Sequence, residues 1–97
     1  MNTMNKQEKP KWFKGAWYNT GDTVTNPFTG EQYALTGPEL SMYDFIKGAE
    51  YTLAVNAQNS GDFYIEDPSM VKLQKEMIKG LDWFRSQNSK AYMTLLD

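Results

Sequence analysis

The chain has 97 residues, 40% of them apolar and 23% charged, with a net charge of −2 and neither Cys nor His. That length allows one small domain, in which about 65% of the unfolded surface is buried. Without Cys or His there is no disulfide, thiolate nucleophile, zinc finger, iron–sulfur cluster or Ser–His–Asp triad.

Charge is distributed unevenly. Residues 1–20 hold four lysines against Glu8, residues 21–67 hold eight acids against Lys47, and residues 68–97 hold five bases against three acids. A dedicated duplex-DNA binder concentrates positive charge on one face, and this layout does not. No apolar run reaches the roughly 18 residues of a membrane span, and the N-terminus has no signal-peptide core. The expected setting is cytoplasmic, with no membrane.

Residues 1–11 have only Met1 and Met4 as apolar side chains and read as a mobile arm ahead of a single domain over 12–97. Trp12 to Tyr18 alternate around Gly15 and predict a short strand bent at the glycine. Asn19-Thr20-Gly21-Asp22 is a turn. Thr23-Val24-Thr25 and Gln32-Tyr33-Ala34-Leu35 flank Asn26-Pro27-Phe28-Thr29-Gly30-Glu31. There Pro27 presets φ and Gly30 supplies a left-handed residue, so a hairpin with a four-residue loop is predicted. The three segments together predict an antiparallel meander within 12–36.

Thr36-Gly37-Pro38-Glu39 is a capping box. Met42, Phe45, Ile46, Ala49 and Leu53 follow on one helical face, which predicts a helix over 37–57. Asn59-Ser60-Gly61-Asp62 is expected to break it. Asp67 and Pro68 open a second helix, to about 87, with a stripe of Met70, Leu73, Met77, Gly80, Leu81 and Phe84. Lys72, Lys75 and Lys79 line another face of it, and a short helix over 89–96 ends the chain. The fold class expected is α+β: a three-stranded antiparallel meander packed on an antiparallel helical pair.

Residues 44–51 and 76–83 match in residue type at nearly every position, which sets Gly48 and Gly80 in equivalent places. A mid-helix Gly costs about 1 kcal/mol against Ala, so both glycines are candidates for a close helix crossing. The period of 32 resembles a helical repeat, but Pro27, Gly30 and the β-branched run at 23–25 leave one helical pair.

Few residues point to chemistry. Asn56, Gln58, Ser60, Gly61, Asp62 and Asp67 fall at calcium-loop spacing, but the positions that need carboxylates are mostly neutral. Asp44 with Glu50, and Glu66 with Asp67, lack a second catalytic group or the right facing. The expectation is therefore no enzyme, no metal and no cofactor. The basic aromatic segment offers Lys9, Lys11, Trp12, Lys14 and Trp17 as a single-strand nucleic-acid site. Fourteen per cent aromatic residues is a heavy load for a core this small. Trp12, Phe13, Trp17 and Tyr18 are accordingly the candidate protein-contact surface, and self-association is expected.

The strings Asn26-Pro27-Phe28-Thr29-Gly30-Glu31, Tyr43-Asp44-Phe45-Ile46-Lys47-Gly48, Trp83-Phe84-Arg85 and Ala91-Tyr92-Met93-Thr94-Leu95-Leu96-Asp97 carry a resemblance. Over residues 12–97 the chain resembles small proteins of tailed bacteriophages of marine bacteria, cyanobacterial phages among them. The stretch 55–67 is longer than in that group, and Ser89 stands where a Pro is more typical. The resemblance implies expression in the cytoplasm of an infected host cell, with host or phage proteins as partners and no activity carried over. The function expected is that of a non-enzymatic accessory protein working through protein contact. Weak single-strand binding is the alternative.

Overall fold

The computed structural model describes residues 7–60 and 67–96. It is an α+β fold: strand β1 (Asp22–Thr25), strand β2 (Gln32–Leu35), helix α1 (Gly37–Ser60), helix α2 (Pro68–Gln87) and helix α3 (Ser89–Leu95). The strands pair antiparallel, Asp22 opposite Leu35 and Thr25 opposite Gln32.

The hairpin follows from its turn chemistry. Asn26 N–H donates to the Glu31 carbonyl at 2.8 Å, and Gly30 N–H donates to the Asn26 carbonyl at 2.8 Å, which closes a loop of residues 27–30. Gly30 takes φ +79, the left-handed conformation that a side chain disfavours. The capping box also forms as read. Glu39 N–H donates to Thr36 Oγ1 at 3.2 Å, and Thr36 N–H returns a bond to Glu39 Oε1 at 3.0 Å. At the start of α2, Asp67 Oδ1 accepts from Ser69 N–H at 2.9 Å.

Among the described residues the sheet has two strands, so the three-stranded meander within 12–36 is corrected. Residues 12–18 join no ladder. Phe13 N–H instead turns back to the Pro10 carbonyl at 3.1 Å, and Tyr18 N–H is taken by the hydroxyl of Ser41 on α1 at 2.7 Å. Ser41 in turn donates to the Gly37 carbonyl at 2.7 Å. The segment passes so close to the start of α1 that a Cβ on Gly37 would collide with the Tyr18 carbonyl. Alternation of large and small residues fits an extended chain as well as a strand, and here the rings bind helices rather than a sheet.

Other boundaries shift modestly. α1 continues to Ser60 rather than ending near residue 57, and α3 ends at Leu95. Gln7, expected in the mobile arm, donates to Glu39 Oε2 at 2.7 Å and accepts from the Thr36 hydroxyl. The calcium-spaced residues Gly61 and Asp62 lie outside the described residues, while Asn56 to Ser60 are helical.

The core is concentrated at one end of the helical pair. Phe13, Leu35, Met42, Tyr43, Ile46, Phe84, Ala91 and Leu95 form its buried cluster. No residue of α1 from Glu50 to Gln58 is buried, nor any residue of α2 before Gly80. A 24-residue helix is about 36 Å long, whereas α3 has seven residues and covers about a third of that length. The far ends of α1 and α2 therefore project beyond the buried cluster.

Candidate functional site

The basic aromatic segment splits between core and surface. Phe13 is 2% exposed and belongs to the core, so its place in the contact surface is corrected. Its ring meets Trp12 at 5.9 Å, Trp17 at 5.2 Å and Phe45 at 5.4 Å, all edge to face. Trp12 also leans on Phe45 at 5.8 Å, and Trp17 on Trp83 at 5.8 Å. Both indoles are half-buried. The aromatic load is thus largely absorbed within one chain, and the reason for expecting a second subunit to cover these rings falls away.

Lys9, Lys11 and Lys14 remain exposed, as a single-strand site would require. The rings beside them do not stand free. A stacking platform needs an open aromatic face, and Trp12 and Trp17 are engaged with Phe13, Phe45 and Trp83.

Tyr18 is the exposed member of the group. Its hydroxyl donates to Asp44 Oδ2 at 3.0 Å. That hydrogen bond, with the carboxylate charge behind it, raises the phenol above its ordinary pKa, because ionisation would set two anions side by side. Tyr18, Asp22, Leu40 and Asp44, with the turn Asn19 to Gly21, line a shallow open groove of about 590 Å³. Its only charged lining residues are Asp22 and Asp44, so its charge disfavours a phosphate.

The paired carboxylates are engaged separately. Asp44 accepts from Tyr18, while Glu50 pairs with Lys47 at 3.2 Å. Glu66 lies outside the described residues. Asp67 caps α2, and the hydroxyl and amide of Ser69 hold its carboxyl below the usual range. Among the described residues no three His, Cys, Asp or Glu side chains cluster as metal ligands do.

Of the two glycines, one lies at a crossing. A Cβ on Gly80 would stand 3.1 Å from Met42 Sδ, 3.3 Å from Ile46 Cγ1 and 3.6 Å from Phe45 Cδ2. Gly48 is exposed, with nothing within 4 Å of such a Cβ, so its part in the crossing is corrected. The sequence echo repeats α1's own residue pattern on α2 without repeating which face meets the neighbour.

Glu39 is a buried hub, 4% exposed. Besides capping α1, its Oε2 accepts from Gln7 Nε2 at 2.7 Å and from Asn88 Nδ2 at 3.2 Å. Asn88 Oδ1 in turn caps α3 by accepting from Ala91 N–H at 3.1 Å. One carboxylate therefore ties the N-terminal segment and the α2–α3 joint to the start of α1.

The hairpin tip holds a feature that sequence reasoning did not single out. Phe28 is 91% exposed. Around it, the buried Asn26 accepts from Phe28 N–H at 2.8 Å and Thr29 N–H at 3.4 Å, and donates to the Thr94 carbonyl at 3.0 Å. Glu31 N–H donates to Thr29 Oγ1 at 3.1 Å. The available signal was the string itself: a large apolar residue between Pro27 and Thr29-Gly30, in a loop too short to fold it inward. No protein-family model, curated protein or solved structure matches the chain.

Proposed function

We propose that the protein acts by binding another protein through its hairpin tip, with Phe28 as the anchor, and not by catalysing a reaction. The observation that carries this reading is a ring 91% exposed on a loop whose backbone Asn26 holds in place. Isolated exposed apolar residues are ordinary. Phe28 differs in being presented by a preorganised loop, and a preorganised aromatic loses little conformational freedom when it enters a partner's pocket. The accessory role in an infected bacterium belongs to the same proposal and rests on the phage resemblance alone.

Affinity purification from the producing cell, with wild type and Phe28→Ser as parallel baits, tests it. Serine should leave the melting temperature unchanged and weaken partner recovery, since losing an aromatic anchor costs about 2 kcal/mol, or about 30-fold in affinity. Equal recovery of every partner by both baits would refute the proposal. The nucleic-acid alternative predicts quenching of Trp fluorescence by oligo-dT, relieved by salt. With both exposed-ring requirements unmet at Trp12 and Trp17, no quenching is expected.

A further inference from the structure

The two edges of the hairpin differ. β2 lies against α3 and α1, and among the described residues no strand pairs with the outer side of β1. The turn shows which backbone groups point there. Asn26 N–H donates across the hairpin to the Glu31 carbonyl, so Val24 and Asp22, two and four residues back, also bond towards β2. Thr23 and Thr25 therefore aim their N–H and carbonyl groups outward. The Thr23 N–H agrees with this, being taken by Asp22 Oδ1 at 2.8 Å and not by β2. The Thr23 carbonyl and both backbone groups of Thr25 are left for an incoming strand, and both threonines are exposed.

Edge strands in natural proteins are guarded by lysines, prolines, bulges or a covering segment. β1 reads Asp22-Thr23-Val24-Thr25 in regular register and has none of the first three. Its guards are its shortness and one acid.

That acid sets the charge of what can dock. Side chains alternate along a strand, which puts Asp22 on the same face as the half-buried Val24, where it lines the groove with Asp44. Among the described residues neither carboxylate forms an ion pair. Asp44 accepts from the Tyr18 phenol, and Lys47, one turn further along α1, is paired with Glu50. Each carboxylate keeps acceptor capacity beyond its neutral donor. Tyr18 and Leu40 add apolar surface for the stem of a long basic side chain.

We infer that β1 accepts an extended segment of a partner protein as a third, antiparallel strand, and that a lysine or arginine of this segment, opposite Asp22, enters the groove lined by Asp22 and Asp44. The inference rests on the reading that the hairpin is the contact element, and it adds what the partner must carry. Main-chain bonds hold such a strand, and its alternating side chains select it. A residue opposite Asp22 points to the same face as Asp22, so the cation fixes the register. The two carboxylates repel an acidic segment, and a helix has no free backbone groups to offer. A second copy of this hairpin does not fit either, because from residue 15 to residue 46 the chain holds no lysine or arginine.

The probe is the synthetic peptide acetyl-Thr-Val-Thr-Arg-amide, titrated to about 10 mM into the isotope-labelled full chain and followed by its amide resonances. Those of Thr23 and Thr25 should shift and saturate. The counterpart peptide ending in Glu should bind about fivefold or more weakly, and Asp22→Asn combined with Asp44→Asn should erase most of that preference. Thr25→Pro removes an outward N–H without taking a bond from the β1–β2 ladder, so this variant should keep its melting temperature and fail to bind. Should proline disturb the hairpin, the comparison of the Arg and Glu peptides decides alone. Phe28→Ser should bind the peptide like wild type, so the tip and the edge are read separately. Absence of saturable shifts at Thr23 and Thr25, equal binding of the Glu peptide, or undiminished binding by a folded Thr25→Pro would each overturn the inference and leave the hairpin-tip reading standing.

Discussion

Placing Leu at Gly48 and at Gly80 should change stability in opposite directions. The two sites share local sequence, and each lies well inside its helix, Gly48 eleven residues after the start of α1 and Gly80 twelve after the start of α2, so intrinsic propensity acts alike on both. Replacing a mid-helix Gly by a good helix former gains about 1 kcal/mol. At Gly48 little opposes that gain, since no atom lies within 4 Å of a new Cβ. At Gly80 the Cβ alone would stand 3.1 Å from Met42 and 3.3 Å from Ile46, both fully buried. Leu adds three further carbons to this contact. The upper end of the overpacking range applies, about 3 kcal/mol, which leaves a net loss of about 2 kcal/mol. The variants should therefore differ by about 3 kcal/mol, or about 12–24 °C in melting temperature for a domain of this size. Thermal melts followed by circular dichroism, with urea titration as a check on slope, measure the gap. Shifts of the same sign and size at both positions would refute the crossing at Gly80.

Glu39→Ala should destabilise by about 1–3 kcal/mol, because it removes half of the capping box and takes the acceptor from the partly buried hydrogen bonds of Thr36, Gln7 and Asn88. Urea titration measures it, and Glu39→Gln, which keeps one acceptor, should lose less. Tyr18 should add an alkaline limb to the stability profile. Its folded pKa is raised, so its contribution is fully present below the ordinary phenol value of about 10 and is lost as pH rises through the folded value. Melting temperatures across that range should flatten in Tyr18→Phe, and an unchanged limb would show that another group produces it.

The parts of this protein that were legible in its sequence are those decided within a few residues. Asn26, Pro27 and Gly30 specify a four-residue loop through backbone preferences that need no distant partner. Thr36 with Glu39, and Asp67 with Pro68, mark helix starts because the bonds they make are local. The apolar spacing of Met42, Ile46 and Ala49 identified the buried face of α1 for the same reason. Tertiary structure decided the rest. Residues 12–18 have alternation enough for a strand, but they pack their rings on Phe45 and Trp83 because two helices present an apolar cleft there. Gly48 and Gly80 look alike in sequence and differ only in which way each faces, which depends on the crossing of α1 with α2. The anchoring of the Phe28 loop is likewise tertiary, since Asn26 donates to the Thr94 carbonyl, 68 residues along the chain. Periodicity marks the faces of a single helix, but which flank meets a neighbour depends on contacts between residues far apart in sequence.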